Sequence, residues 1–104
     1  MKQYTKSLMK LNFEGIDMSL VDKIEIAFSQ EIGQPPLKTA EYPNRDAGPI
    51  YGNMIGVVWT PEDTALFKPD KYFYIDTRIT LKDSPYHPET PIIKVKMNPT
   101  LFEE

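Results

Sequence analysis

Glu62 and Asp63 are the most prominent pair of neighbouring acids in the chain, inside the segment TPEDTALFKPDKYFYIDTRITL that runs from Thr60 to Leu81. Adjacent side chains on a helical turn do not share a face, so these carboxyls diverge and make no acid–base pair. Their position assigns them another task. Thr60 has the chemistry of an N-cap, Pro61 sits where a first helical residue lacks a partner anyway, and the two acids lie at the positive end of the turn. His87 is the only imidazole and lies between prolines in SPYHPET, which reads as a surface loop. Ser84, His87 and an aspartate make no triad, because no nucleophile elbow precedes the serine. Asp17, Asp22, Asp46 and Asp83 do not fall into a calcium-loop spacing. With no cysteine, thiolate metal sites, disulfides and cysteine nucleophiles are excluded. The expectation is therefore no catalytic group, no cofactor, no metal and no enzymatic activity.

Contact chemistry is better represented. Tyr72, Tyr74 and Arg78 recur on one side of an alternating run, and Tyr and Arg are the types most enriched at interface hot spots. An ion pair between Asp76 and Arg78 would flank them at the surface. Tyr42, Arg45 and Tyr51 repeat the composition between residues 33 and 53, and Tyr86 adds an aromatic in the next loop. Trp59 alternates in phase with Ile55 and Val57, which marks it as core.

The elements that must hold these residues are mostly strands. Met9, Leu11 and Phe13 alternate with polar neighbours, predicting a strand from about Ser7 to Glu14. IDMSLVD then reads as a single turn capped by Asp17 or Ser19. Ile24, Ile26 and Phe28 mark the next strand. GQPPLKTAEYPNRDAGPIYG, residues 33–52, is rich in proline and glycine and reads as a long loop, interrupted at most by a short edge strand near Leu37 to Tyr42. Met54 to Trp59 is a strand at least partly covered on both faces. Leu66 and Phe67 are expected to pin the following turn to the core. Phe73, Ile75, Thr77, Ile79 and Leu81 share the inner face of a long strand, and KDSPYHPETP is a loop. IIKVKM supplies a last strand with Ile93, Val95 and Met97 inward, leaving Leu101 and Phe102 to dock or to reach a neighbour. Several short strands, one helical turn and no long amphipathic helix predict an all-β, immunoglobulin-like antiparallel β-sandwich in one domain over residues 1–104.

Twelve basic against fifteen acidic residues give a net charge of −3, with no basic stripe to attract nucleic acid or a membrane surface. No stretch has the length of a membrane span or the apolar core of a secretory signal, so cytoplasmic synthesis is expected.

PEDTA resembles the turn before the last core strand of immunoglobulin variable domains, although the Tyr-x-Cys that should follow is absent. FEGIDMS, VDKIEIAFSQ, the LK pair, IGVVWTPEDTALFKPDKYFYIDTRITL and IIKVKM together resemble the small β-sandwich proteins of Gram-positive phages and prophages. That resemblance implies a virion- or tail-associated structural protein and brings no catalytic residues. The long insertion PPLKTAEYPNRDAGPIYG and the SPYHPETP loop depart from its pattern. The combined expectation is a non-enzymatic structural or assembly module working through protein partners or self-association, without a small-molecule ligand. The alternative is a carbohydrate or cell-surface binding module using Tyr42, Tyr51 and Tyr86.

Overall fold

The computed structural model describes residues 1–2 and 4–98. Among the described residues seven strands form: β1 (Ser7–Asn12), β2 (Val21–Ser29), β3 (Lys38–Tyr42), β4 (Ala47–Tyr51), β5 (Met54–Trp59), β6 (Lys71–Leu81) and β7 (Ile93–Met97), with a 3-10 turn at Met18–Leu20 and one short helix, α1 (Pro61–Ala65). They pack as a three-stranded sheet in the order β1-β5-β4 against a four-stranded sheet in the order β3-β2-β6-β7, and every named pair is antiparallel. Read as strands B, C, C′, D, E, F and G, these are the two layers of an immunoglobulin-like sandwich. Among the described residues nothing takes the place of a strand A beside β1. The α1 turn falls between β5 and β6, the place that PEDTA occupies in the immunoglobulin comparison.

Alternation explains the layers. Ile24, Ile26 and Phe28 on β2 and Phe73, Ile75 and Ile79 on β6 are buried, and Ile55, Val57 and Trp59 face them from β5. Trp59 is fully buried, with Phe28 edge-on at 4.9 Å and Phe67 and Phe73 at 5.3 and 5.5 Å between ring centroids. Such pairs add about 0.5–1.5 kcal/mol each beyond the area they bury.

Several boundaries differ from the sequence reading. β1 stops at Asn12, although the Phe13 amide still donates to Asn53 O at 2.9 Å. Residues 33–52 are not one long loop: the edge strand expected near Leu37 to Tyr42 forms as β3, the unexpected β4 follows it, and the two are joined by a cis Tyr42–Pro43 peptide and a tight turn in which Asn44 and Ala47 exchange backbone hydrogen bonds. Leu66 does not point inward. It caps a one-turn helix and is 56% exposed, while Phe67 alone reaches the core. Of the last strand's inward set Met97 is buried, Val95 half-buried and Ile93 exposed. Leu101 and Phe102 lie outside the described residues.

Local chemistry positions the crossings. Asp17 Oδ1 accepts from the Ser19 amide and hydroxyl at 3.0 and 2.7 Å, which caps the 3-10 turn and lowers the Asp17 carboxyl below its usual range. Thr60 and Asp63 form a reciprocal capping box around the start of α1. The upper half of β6, beyond its pairing with β7, is sealed by the loop after it. Thr90 Oγ1 donates to Thr77 O at 2.9 Å, and His87 Nδ1 sits 2.8 Å from Ile79 O.

Candidate functional site

Tyr72, Tyr74, Asp76 and Arg78 have the parity opposite to the buried Phe73, Ile75 and Ile79, so they stand on the outer face of the four-stranded sheet. Arg78 does not pair with Asp76. Its register partner across the ladder is Glu25, and the guanidinium donates to both carboxylate oxygens, from Nε at 3.0 Å and Nη2 at 2.9 Å. Cross-strand neighbours sit closer than residues two apart on the same strand, which is why Glu25 wins. The hydrogen bond from Arg78 lowers the Glu25 carboxyl below its usual range, and Glu25 raises Arg78 in return. Lys23 bridges Glu25 and Glu41 at 3.9 Å each, and the Lys94 ammonium lies 4.1 Å from the Tyr72 ring centroid. Beside them runs a wide groove of about 620 Å³ whose charged lining is Glu25, Glu41, Asp46, Asp76 and Arg78. Among the described residues no cluster of His, Cys, Asp and Glu could hold a metal ion.

The remaining predicted contact residues do not join this face. Tyr42 is half-buried and packs against the core. Arg45 stands on the β3–β4 turn, exposed, its amide donating to Asn44 Oδ1. Tyr51 ends β4 and is 72% exposed; Tyr86, in the loop after β6, is 79% exposed. Both lie at the end of the sandwich where β1 passes to β2. Glu62 and Asp63 behave as helix-end groups. Burial pushes the Asp63 carboxyl upward, but the Thr60 amide and Lys38 outweigh it, and the net shift is downward. Lys38 Nζ meets Asp63 Oδ2 at 3.0 Å with its side chain only 9% exposed, joining β3 to the turn after β5.

Sequence reasoning missed the outer face of the three-stranded sheet. Leu8 from β1 and Ile50 from β4, both exposed, approach each other over buried Gly56, and a Cβ there would stand 2.9 Å from Leu8 Cδ1 and 3.1 Å from Ile50 Cδ1. Val58 and Met54 extend the strip at half exposure. The available signal was consecutive apolar residues, LM in β1 and VV in β5, which leave one apolar group outward when the other turns in. What this arrangement can do is shed water against an apolar or strand-like surface. The chain matches no family model, no curated protein and no solved structure.

Proposed function

We propose that this chain is a non-enzymatic structural or assembly module, derived from a phage or prophage, that acts through protein–protein contacts. The observation that carries the reading is the three-stranded sheet's outer face, where Leu8 stays 52% exposed beside Ile50, Val58 and Met54. Apolar groups gathered on an outer sheet gain about 25 cal/mol for each Å² removed from water, and another protein surface can supply that cover. The phage assignment rests on the sequence resemblance alone.

The test places a photoreactive phenylalanine derivative at position 8, with position 80 on the opposite outer face as control. A covalent adduct to a protein subunit of fixed mass from position 8 is expected, with terminase, portal or tail genes flanking the gene. Irradiation that yields no protein adduct from position 8 overturns the reading. Glycan binding abolished by Tyr51→Ala and Tyr86→Ala would establish the carbohydrate alternative instead.

A further inference from the structure

We infer that the free edge of β1 is a docking site for an extended, acidic segment of a partner protein, which adds as a further strand and fills the crevice between β1 and β7. The inference rests on the assembly reading above and names the kind of partner.

β1 is the outermost strand of its sheet, and its register with β5 runs unbroken from Ser7↔Trp59 to Asn12↔Met54. The Phe13 amide donates toward β5, so by the two-residue alternation of an antiparallel ladder Leu8, Lys10 and Asn12 turn their amides and carbonyls to the open side. Exposed edges are usually blunted by proline, a bulge or a covering segment. The other outer strands carry such devices. β4 has Pro49 and a register shift beside it, β3 runs into the Pro43 kink, and β7 is met near its end by Met1 and Lys2, through Met1 N to Lys96 O at 3.0 Å and a bridge from Lys2 to Asn98. Among the described residues β1 has none of these; its one edge device is the charge of Lys10.

A second observation lies beside that edge. β3 and β4 are joined by a short connection on one flank, so β1 and β7 are the outer strands of the opposite flank. There a crevice of about 230 Å³ opens, its apolar lining made by Leu11, Phe13, Ile16, Pro91 and Ile93. A strand paired with β1 would turn alternate side chains into this space.

The third observation is charge. The chain is net acidic, yet Lys10 stands exposed on β1 and Lys6 just before it, and neither is paired with a carboxylate among the described residues. The charged residues that line the crevice itself are Glu14 and Glu89, so the partner's acidic side chains must face away from it. Two copies meeting edge to edge would bring like charges together, which opposes self-pairing and favours an acidic strand. The fitting partner alternates apolar residues, facing inward beside Met9 and Leu11, with acidic residues outward beside Lys10. Main-chain hydrogen bonds then supply affinity and the alternation supplies specificity.

The probe is a capped synthetic peptide of about nine residues alternating valine and glutamate, long enough to pair the whole strand, titrated into the full chain and followed by amide chemical shifts. Shifts centred on Leu8, Lys10 and Asn12 are expected, with affinity falling as salt rises. Lys10→Pro removes an amide that faces the open side and leaves the ladder to β5 intact; it should weaken binding at least about tenfold without moving the unfolding midpoint. Should that variant fold poorly, Lys6→Glu with Lys10→Glu serves instead, and it should exchange the preference toward a valine–lysine peptide. Equal binding of the two peptides to the wild type, shifts centred on Tyr72 and Tyr74, or no binding at millimolar peptide would each overturn the inference. A dimer whose β1 amides are protected without peptide would overturn the acidic partner while leaving the assembly reading intact. Absence of any adduct from position 8 would remove that reading itself.

Discussion

On the outer face of the four-stranded sheet Arg78 is gripped by Glu25, Lys23 lies between two glutamates and Tyr72 lies under Lys94, whereas on the three-stranded sheet Leu8 and Ile50 meet over Gly56 with nothing above them among the described residues. The first face answers its charges from within the same sheet, and water answers the remainder at little cost. The second holds groups that only another apolar surface can satisfy. Residue types that mark hot spots in general therefore do not mark the less satisfied face here. Where a side chain's partner sits matters more than its type.

The two sheets are tied at one seam by Lys38 and Asp63, and breaking that tie has the largest expected effect. Asp63→Ala removes the carboxylate half of the capping box, leaving the Thr60 hydroxyl on the backbone amide of position 63, and leaves a nearly buried ammonium without its carboxylate. Losing that half costs up to about 1 kcal/mol. The orphaned Lys38 raises the total to about 2–3 kcal/mol, below the range for fully buried pairs because Asp63 is itself a quarter exposed. Urea unfolding followed by Trp59 fluorescence measures it, and adding Lys38→Met should recover part of the loss. The sign with pH follows from the depressed Asp63 carboxyl. Its contribution is complete above the unfolded value of about 3.9 and is lost as pH falls through the lower folded value. The Asp63→Ala protein should show a shallower acid limb.

Gly56→Val comes next and acts on the three-stranded face alone. Leu8 Cδ1 and Cγ and Ile50 Cδ1 crowd the added carbons, so a loss of about 1–3 kcal/mol is expected. Leu8→Ala in the same chain should restore most of it, since the obstruction is side chain rather than backbone. A loss without rescue would mean that Gly56 is required by the backbone itself. Leu8→Ser alone should cost about 1 kcal/mol, because half of the side chain is already in water, yet it should abolish the adduct from the apolar face when the photoreactive group is moved to position 50.

Much of this fold is legible because strand period and core chemistry agree. Ile55, Val57, Trp59, Phe73, Ile75 and Ile79 alternate and are buried, and the Thr60 capping box shows in the letters TPED. β4 is not legible: AGPIY contains glycine and proline and becomes a strand only by pairing with β5. Leu66 defeats periodicity because a single helical turn has no repeat to set its phase. Arg78 finds Glu25 fifty-three positions away, and separation of that kind is a property of register that no local pattern carries. Tyr42, Arg45 and Tyr51 share a composition but not a surface, since the turn between β3 and β4 passes from one sheet to the other.

Glu25→Gln has the smallest expected effect and is the sharpest check on the contrast between the faces. The Arg78–Glu25 pair has good bidentate geometry, but both side chains stand in water. Exposed pairs trade Coulomb attraction against the ordering of two long side chains and are weakened by salt. A glutamine keeps the shape and one acceptor while removing the negative charge that Arg78 stabilises. The urea midpoint should therefore stay within error of the wild type, and raising the salt should move both proteins alike. A midpoint shift as large as that of Asp63→Ala would mean that the outer charges fasten β2 to β6 structurally. The polar face would then be a fixed part of the frame, and the contrast with the apolar face would be one of stability as well as of contact chemistry.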